Sequence, residues 1–231
     1  MSFRLRVDPL IFETFPGYSV LLLYAHDLEN GPSDARSAGL LRAAEAEARA
    51  AFSEAKPASH PHIAAWREAF GRFGVKPSRY PCSVEALLGR VLKGQELPAI
   101  NRVVDLYNAV SIRHVLPVGG EDLDQLTSDS TLRFATGDEP FSAISGGEEV
   151  IEYPEPGEVV WADSGGVTCR RWNWRQCRRT QLTEATRNAY FVLDALSPYP
   201  PDALTVAGDD LARLLTEASP GVRIEWEVIT R

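Results

Sequence analysis

Leu97-Pro-Ala-Ile-Asn-Arg-Val-Val-Asp-Leu-Tyr-Asn108 is the stretch on which the reading of the fold turns. Pro98 suits the first position of a helix, where its missing N–H is no loss, and the pattern predicts a helix from there to about Arg113. Ile100, Val103, Val104, Tyr107 and Val110 fall on one face at helical spacing. Asn101, Asp105 and Asn108 share the opposite stripe and point the same way. A merely solvated stripe carries Lys and Glu. Short amides and a carboxylate suit hydrogen bonds to a neighbouring loop or to a ligand, and the tie to a loop is the weightier reading. This helix also divides the chain. A strand-dominated half follows it, and its regular proline and glycine punctuation suggests antiparallel strands with hairpins.

Ahead of the helix, Phe3, Leu5 and Val7 alternate as a short strand stopped by Asp8-Pro9, and residues 18–25 form an apolar run that reads as a buried strand. Ser33 is expected to cap a long alanine-rich helix reaching Lys56. A second helix spans residues 62–73 with Gly74 as its stop, and a third spans 84–93 between Ser83 and Gly94. Behind the helix, residues 131–135, 140–144, 150–153 and 158–163 read as strands, punctuated by Pro and Gly as in hairpins. Thr183 is expected to cap a helix ending at Leu196, residues 198–201 to form a linker, and residues 209–218 a last helix. Ile224, Trp226 and Val228 alternate in a final strand.

The totals exclude several classes. With 44% hydrophobic and 24% charged residues the chain reads as a globular protein, and no apolar run approaches the roughly 20 residues of a membrane helix. Met-Ser-Phe-Arg-Leu-Arg at the start has no apolar signal core behind it, so a cytoplasmic location is expected. Cys82, Cys169 and Cys177 are odd in number and lack metal spacing, which reads as reduced thiols. His60-Pro61-His62 has no partner at metal spacing and reads as loop; no metal and no cofactor are expected. The glycine pairs at 119, 146 and 165 lack the strand–loop–helix setting of a nucleotide fingerprint. A net charge of -8, from 32 acidic and 24 basic residues, argues against DNA coating but leaves room for one local phosphate site.

Such a site is offered by Cys169-Arg-Arg-Trp-Asn-Trp-Arg-Gln-Cys-Arg-Arg-Thr180, a local inversion of the global field. Arginine forks grip phosphates and carboxylates and stack on planar rings. Trp172 and Trp174 supply flat apolar surface. In an extended strand, Cys169, Arg171 and Asn173 would face one way and Arg170, Trp172 and Trp174 the other. The competing reading is a surface hairpin whose arginines pair with acids such as Glu148, Glu149, Glu155 and Glu158, pairs that contribute little.

Taken together, Ser78-Arg-Tyr-Pro-Cys-Ser-Val-Glu85, the Asn101-x-x-Val-Asp-x-x-Asn108 stripe, Ser111-Ile-Arg-His114 and Leu116-Pro-Val-Gly-Gly-Glu-Asp-Leu-Asp-Gln-Leu126 resemble the B3/4 domain, the editing domain of the phenylalanyl-tRNA synthetase beta subunit, in a free-standing form. The likeness continues through the strands at 132–135 and 157–163 to residues 169–180, so that residues 60–200 are the recognisable core. The whole of 1–231 is expected to be one domain, with 1–59 and 201–231 completing it. The resemblance implies an α+β fold, a mixed or antiparallel sheet packed with helices, with a pocket between helix and sheet and hydrolysis of a wrongly attached amino acid from tRNA. One departure is specific: the synthetase domain has a histidine in the turn after its proline, where this chain has Gly119.

On that resemblance the expected chemistry is water attack on an aminoacyl ester, because no serine–histidine–acid signature is present. His114 or Asp122 would orient the water, with Asn173 at the reaction centre. Asn108, Asn173 and the Gly119-Gly120 amides would donate hydrogen bonds, and Arg113, Arg171 and Arg175 would hold the terminal phosphate or ribose. Trp172 or Trp174 would stack on the terminal adenine. The expected partners are an aminoacylated tRNA 3′ end and an amino acid, with no membrane and no DNA. Behind this hydrolase reading stand a module that binds an amino acid or an RNA end without turnover, and, third, a structural adaptor.

Overall fold

The structure is a computed structural model that describes residues 3–52 and 56–231. In chain order the elements are β1 (Leu5–Val7), α1 (Pro9–Thr14), β2 (Tyr18–His26), α2 (Ala35–Phe52), α3 (Pro61–Arg72), α4 (Ser83–Val91) and α5 (Arg102–His114). Then come β3 (Val118–Asp122), β4 (Ser130–Phe134), β5 (Phe141–Ser145), β6 (Glu148–Glu152), β7 (Val159–Asp163), β8 (Gly166–Arg170), β9 (Arg175–Gln176) and β10 (Ala189–Leu196), before α6 (Pro201–Ala218) and β11 (Arg223–Thr230). The fold is α+β, as the family resemblance implies. One sheet runs β1-β4-β7-β8-β9, a second runs β11-β2-β10-β3, and β5 and β6 form a separate hairpin.

The second sheet explains the apolar runs. β10 pairs antiparallel with both β2 and β3, and β11 pairs antiparallel with β2. Tyr18, Val20 and Leu22 enter a large core shared with α3, α4 and the first sheet. Their neighbours Leu21, Leu23 and Ala25 enter a second core shared with α5 and α6. A strand covered on both faces has no polar side, so its sequence shows no alternation. This is also why residues 189–196 mislead: the expected helix up to Leu196 is β10. Every position there is buried, so an apolar set at helical spacing could be picked out of a uniformly apolar run. Tyr190, Phe191 and Val192 mark it as a strand.

Other boundaries move for local reasons. Asn101 caps α5, its Oδ1 accepting the Val104 N–H at 3.0 Å, so the helix starts after Asn101 and not at Pro98. Asp34, not Ser33, serves the start of α2, accepting the N–H groups of Arg36 and Ser37. Residues 53–55 of the expected run to Lys56 lie outside the described residues. Ser83 is the first residue of α4 and its hydroxyl caps nothing. The expected linker at 198–201 ends in Pro201, which opens α6 well before Asp209. Among the described residues no helix is long and apolar enough to cross a membrane.

His60-Pro61-His62 is not a free loop, because Pro61 opens α3 and buries His62. The His62 Nε2 accepts the Trp66 indole N–H at 3.0 Å and the Leu196 N–H at 3.2 Å, while Nδ1 lies 2.8 Å from the Val115 carbonyl oxygen. Two donors on Nε2 fix the neutral tautomer with the proton on Nδ1. Burial pushes the imidazole down to about 4 from 6.5. In the unfolded chain it takes up a proton below 6.5, whereas the folded chain waits until about 4. Stability from this group is therefore complete above pH 6.5 and is lost as pH falls toward 4. The stability difference between the wild type and His62→Gln, from urea titrations, is expected to shrink by about 3 kcal/mol between pH 7 and pH 4. A pH-independent difference would refute the assigned tautomer.

Candidate functional site

The site is built by a turn that ordinary strand geometry would not produce. β8 ends at Arg170, and Arg171 and Trp172 both adopt left-handed backbone, with φ of 47 and 65. Side chains other than glycine rarely accept this. Glu158 fixes the turn. Its carboxylate receives the Arg170 Nε and a terminal guanidinium nitrogen at 2.9 Å each, and the Arg171 backbone N–H at 3.1 Å. The Trp172 N–H donates to the Val159 carbonyl at 2.6 Å.

The alternation expected along 169–174 therefore breaks at Arg171. The Trp172 ring swings into the core, with ring centres 4.8 Å from Phe15, 4.9 Å from Tyr18 and 5.1 Å from Trp66. Arg171 is stacked between Tyr80 and Trp174, at 3.9 and 4.4 Å from the ring centres. The arginines are largely paired, as the hairpin reading expects, but with different acids. Of the four acids named, Glu158 takes part; the other partners are Glu152 for Arg170 and Arg175, and Asp163 for Arg179.

Beneath this turn lies a cavity of about 220 Å3. Its walls come from α4, α5, β3, β7 and β10, and Asn108, Gly119, Trp172, Asn173, Trp174 and Arg175 are all on it. The two distant segments singled out in the sequence thus meet around one hollow. Its volume lies below the roughly 300–1,000 Å3 of drug-sized pockets, a scale that suits an amino acid.

Five expected residues lie elsewhere. His114 Nε2 is 3.1 Å from Asp210 on α6, and Arg113 bridges Glu47 and Asp210, so this corner ties α5 to α2 and α6. Asp122 is spent at the end of β3, accepting the Asp124 N–H and the Thr186 hydroxyl. Gly120 faces the opposite side of the sheet, where a Cβ would stand 2.7 Å from the Phe191 ring. Arg171 is held between its two rings and does not line the cavity. The stripe on α5 also divides: Asn101 caps the helix, Asp105 accepts the Ser37 hydroxyl and the Ile100 N–H, and Asn108 alone reaches the cavity.

Besides Arg175, the cavity's charged groups are two acids outside the sequence expectation. Glu121 on β3 accepts the hydroxyls of Thr180 and Tyr190 at 2.6 Å each, and burial pushes its carboxyl up. Asp194 on β10 accepts the Tyr18 hydroxyl at 2.7 Å and the Asn173 amide at 3.2 Å. Burial raises it to about 6, against the pull of those two donors. The Trp172 indole N–H stands near the same carboxyl without closing a hydrogen bond. A signal for Asp194 was present: one carboxylate inside an apolar run is costly unless it is partnered or used.

Four of the nine buried side-chain polar atoms without a partner, among the described residues, belong to the cavity's lining. They are Ser83 Oγ, Trp161 Nε1, Trp172 Nε1 and Asn173 Oδ1. Buried orphans are uncommon and each costs about 1–3 kcal/mol, so their gathering here leaves hydrogen-bonding capacity for water or a polar ligand. The arrangement offers negative charge, hydrogen-bond donors and one free amide acceptor. Among the described residues, none that lines the cavity is a histidine. The Cys169 thiol is pushed well up by burial, which makes it a poor nucleophile.

A family model described as the B3/4 domain matches residues 65–218. Among solved structures, an N-terminal fragment of the phenylalanyl-tRNA synthetase beta subunit from Pyrococcus horikoshii is similar over 100% of this chain, at 12% identity and a TM-score of 0.48. The chain spans 55% of that fragment. No curated protein matches.

Proposed function

We propose, because this chain belongs to the B3/4 domain family, that it acts in trans on mischarged tRNA and hydrolyses the aminoacyl ester. The observation that carries this reading is the Asp194–Asn173 pair set in a cavity of amino-acid size. An aminoacyl ester brings an α-ammonium, and Asp194, ionised above about pH 6, is its counter-charge. The free Asn173 Oδ1 is the acceptor that would orient the attacking water. Trp174 and Arg175 at the cavity are the stacking surface and the cation for the terminal nucleotide. Ser83 has no histidine beside it in the cavity, so a covalent route is not part of the proposal.

The test is a panel of mischarged tRNAs. The protein is expected to release at least one amino acid faster than buffer does, and Asn173→Ala to slow that release about 100-fold, a loss on the scale of a misplaced catalytic group. Absence of release across the panel would remove the hydrolase reading.

A second reading, binding of a free amino acid without turnover, draws on Gly119 and on the lack of any histidine in the cavity. Thermal stabilisation by a free amino acid, with no hydrolysis of its ester, would select it.

A further inference from the structure

α4 has two sides. Ser83, Ala86 and Leu87 face the cavity, while Glu85, Gly89 and Arg90, with Lys93 just past the helix end, face a separate groove, and Ala86 borders both. The groove has a volume of about 580 Å3. Lys56, Arg67, Arg90 and Lys93 line it, and among the described residues Glu85 is the one carboxylate on it. Arg67 takes that carboxylate at 2.6 Å. In a chain of net charge -8 this is a concentration of positive charge. Among the described residues, neither Lys56 nor Lys93 has a carboxylate within ion-pair distance. Gly89 leaves the wall bare, since a Cβ there would meet nothing within 4 Å. The second Glu85 oxygen, Oε2, is buried and has no partner.

We propose that this groove is a second site, which takes the phosphate backbone of a single-stranded RNA and leads its end past Ala86 into the cavity. The choice of RNA rests on the function proposed above; the positive groove does not. Lys56 and Lys93, which have no carboxylate partner among the described residues, would meet phosphates as counterions are released. Glu85 Oε2 accepts a donor, and a ribose 2′-hydroxyl is the donor that RNA has and DNA lacks. Arg90 is partly committed, since its Nε donates to the Glu96 carbonyl.

The test is fluorescence anisotropy with a short single-stranded RNA over a range of salt, using the full chain. The wild type is expected to bind with a negative slope of log affinity against log salt. Lys56→Gln with Lys93→Gln is expected to weaken binding at least tenfold and to flatten that slope by about 1.4, the share of two single-strand phosphates. A control with the same loss of charge, Arg223→Gln with Arg231→Gln, is expected to change neither. No binding by the wild type at low salt, or equal losses in both double variants, would overturn the groove. The response of the cavity to amino acids or their esters is scored separately in the same proteins. RNA binding that survives a failed cavity test leaves the groove standing, and the converse result removes the groove alone.

Discussion

Glu158→Ala is expected to lower the free energy of unfolding by about 3–5 kcal/mol, the scale of removing one partner of a buried ion pair. The residues left behind decide the size. Arg170 is 5% exposed and Arg171 8%, and both guanidinium groups face a carboxylate that is itself 3% exposed. Without it, two cations remain inside the protein, and the Arg171 backbone N–H loses its acceptor at the point where the chain turns left-handed. Glu152→Ala touches the same Arg170 from a half-exposed position and is expected to cost no more than about 1 kcal/mol. Replacing Glu158 and Arg170 together by Met should cost less than Glu158→Ala alone, because it leaves one buried cation in place of two. Urea denaturation of the four proteins measures this. A Glu158→Ala shift under about 1 kcal/mol would mean that the turn is held by packing and not by charge.

Asp194→Asn is expected to move function and stability in opposite directions. A carboxylate against an ammonium makes a charged hydrogen bond of about 1.5–3 kcal/mol, so ligand affinity, or release from mischarged tRNA, should fall about 10- to 100-fold. The fold should gain. Burial holds the Asp194 carboxyl at about 6, above its ordinary 3.8, so the ionised form is disfavoured in the folded chain. This group adds stability as pH falls from 6 toward 3.8 and withholds it above 6. Asparagine removes the withheld part, up to about 3 kcal/mol at pH 8 and nothing near pH 3.8. The Asn173 amide can turn its free Oδ1 to the new amide, so the hydrogen bond is not lost. A variant that is both weaker in function and less stable at pH 8 would mark Asp194 as a structural acid.

The class of the fold was legible because Asn101-x-x-Val-Asp-x-x-Asn108 and the glycine turn carry a family pattern. The hollow between residues 108 and 173 was legible for the same reason. What was hidden has two causes. β10 is apolar on both faces, so periodicity does not separate strand from helix, and Asp194 stays hidden with the strand that carries it. His114 is placed beside the site in sequence, but α5 turns it toward Asp210, and no local pattern reports which way a helix end faces its neighbours. The turn at Arg171 depends on Glu158, which is thirteen residues away in sequence.

The family match begins at residue 65 and ends at 218, yet β2 (Tyr18–His26) and β11 (Arg223–Thr230) lie outside it. β2 is an interior strand, with β10 on one side and β11 on the other. A gene fragment cut to the recognised span would leave β10 with a bare edge and an uncovered apolar face, the template on which chains aggregate. It would also lack Tyr18, whose hydroxyl holds Asp194. The segment that looks like the domain and the segment that can fold are therefore different lengths, and expression boundaries belong at the second.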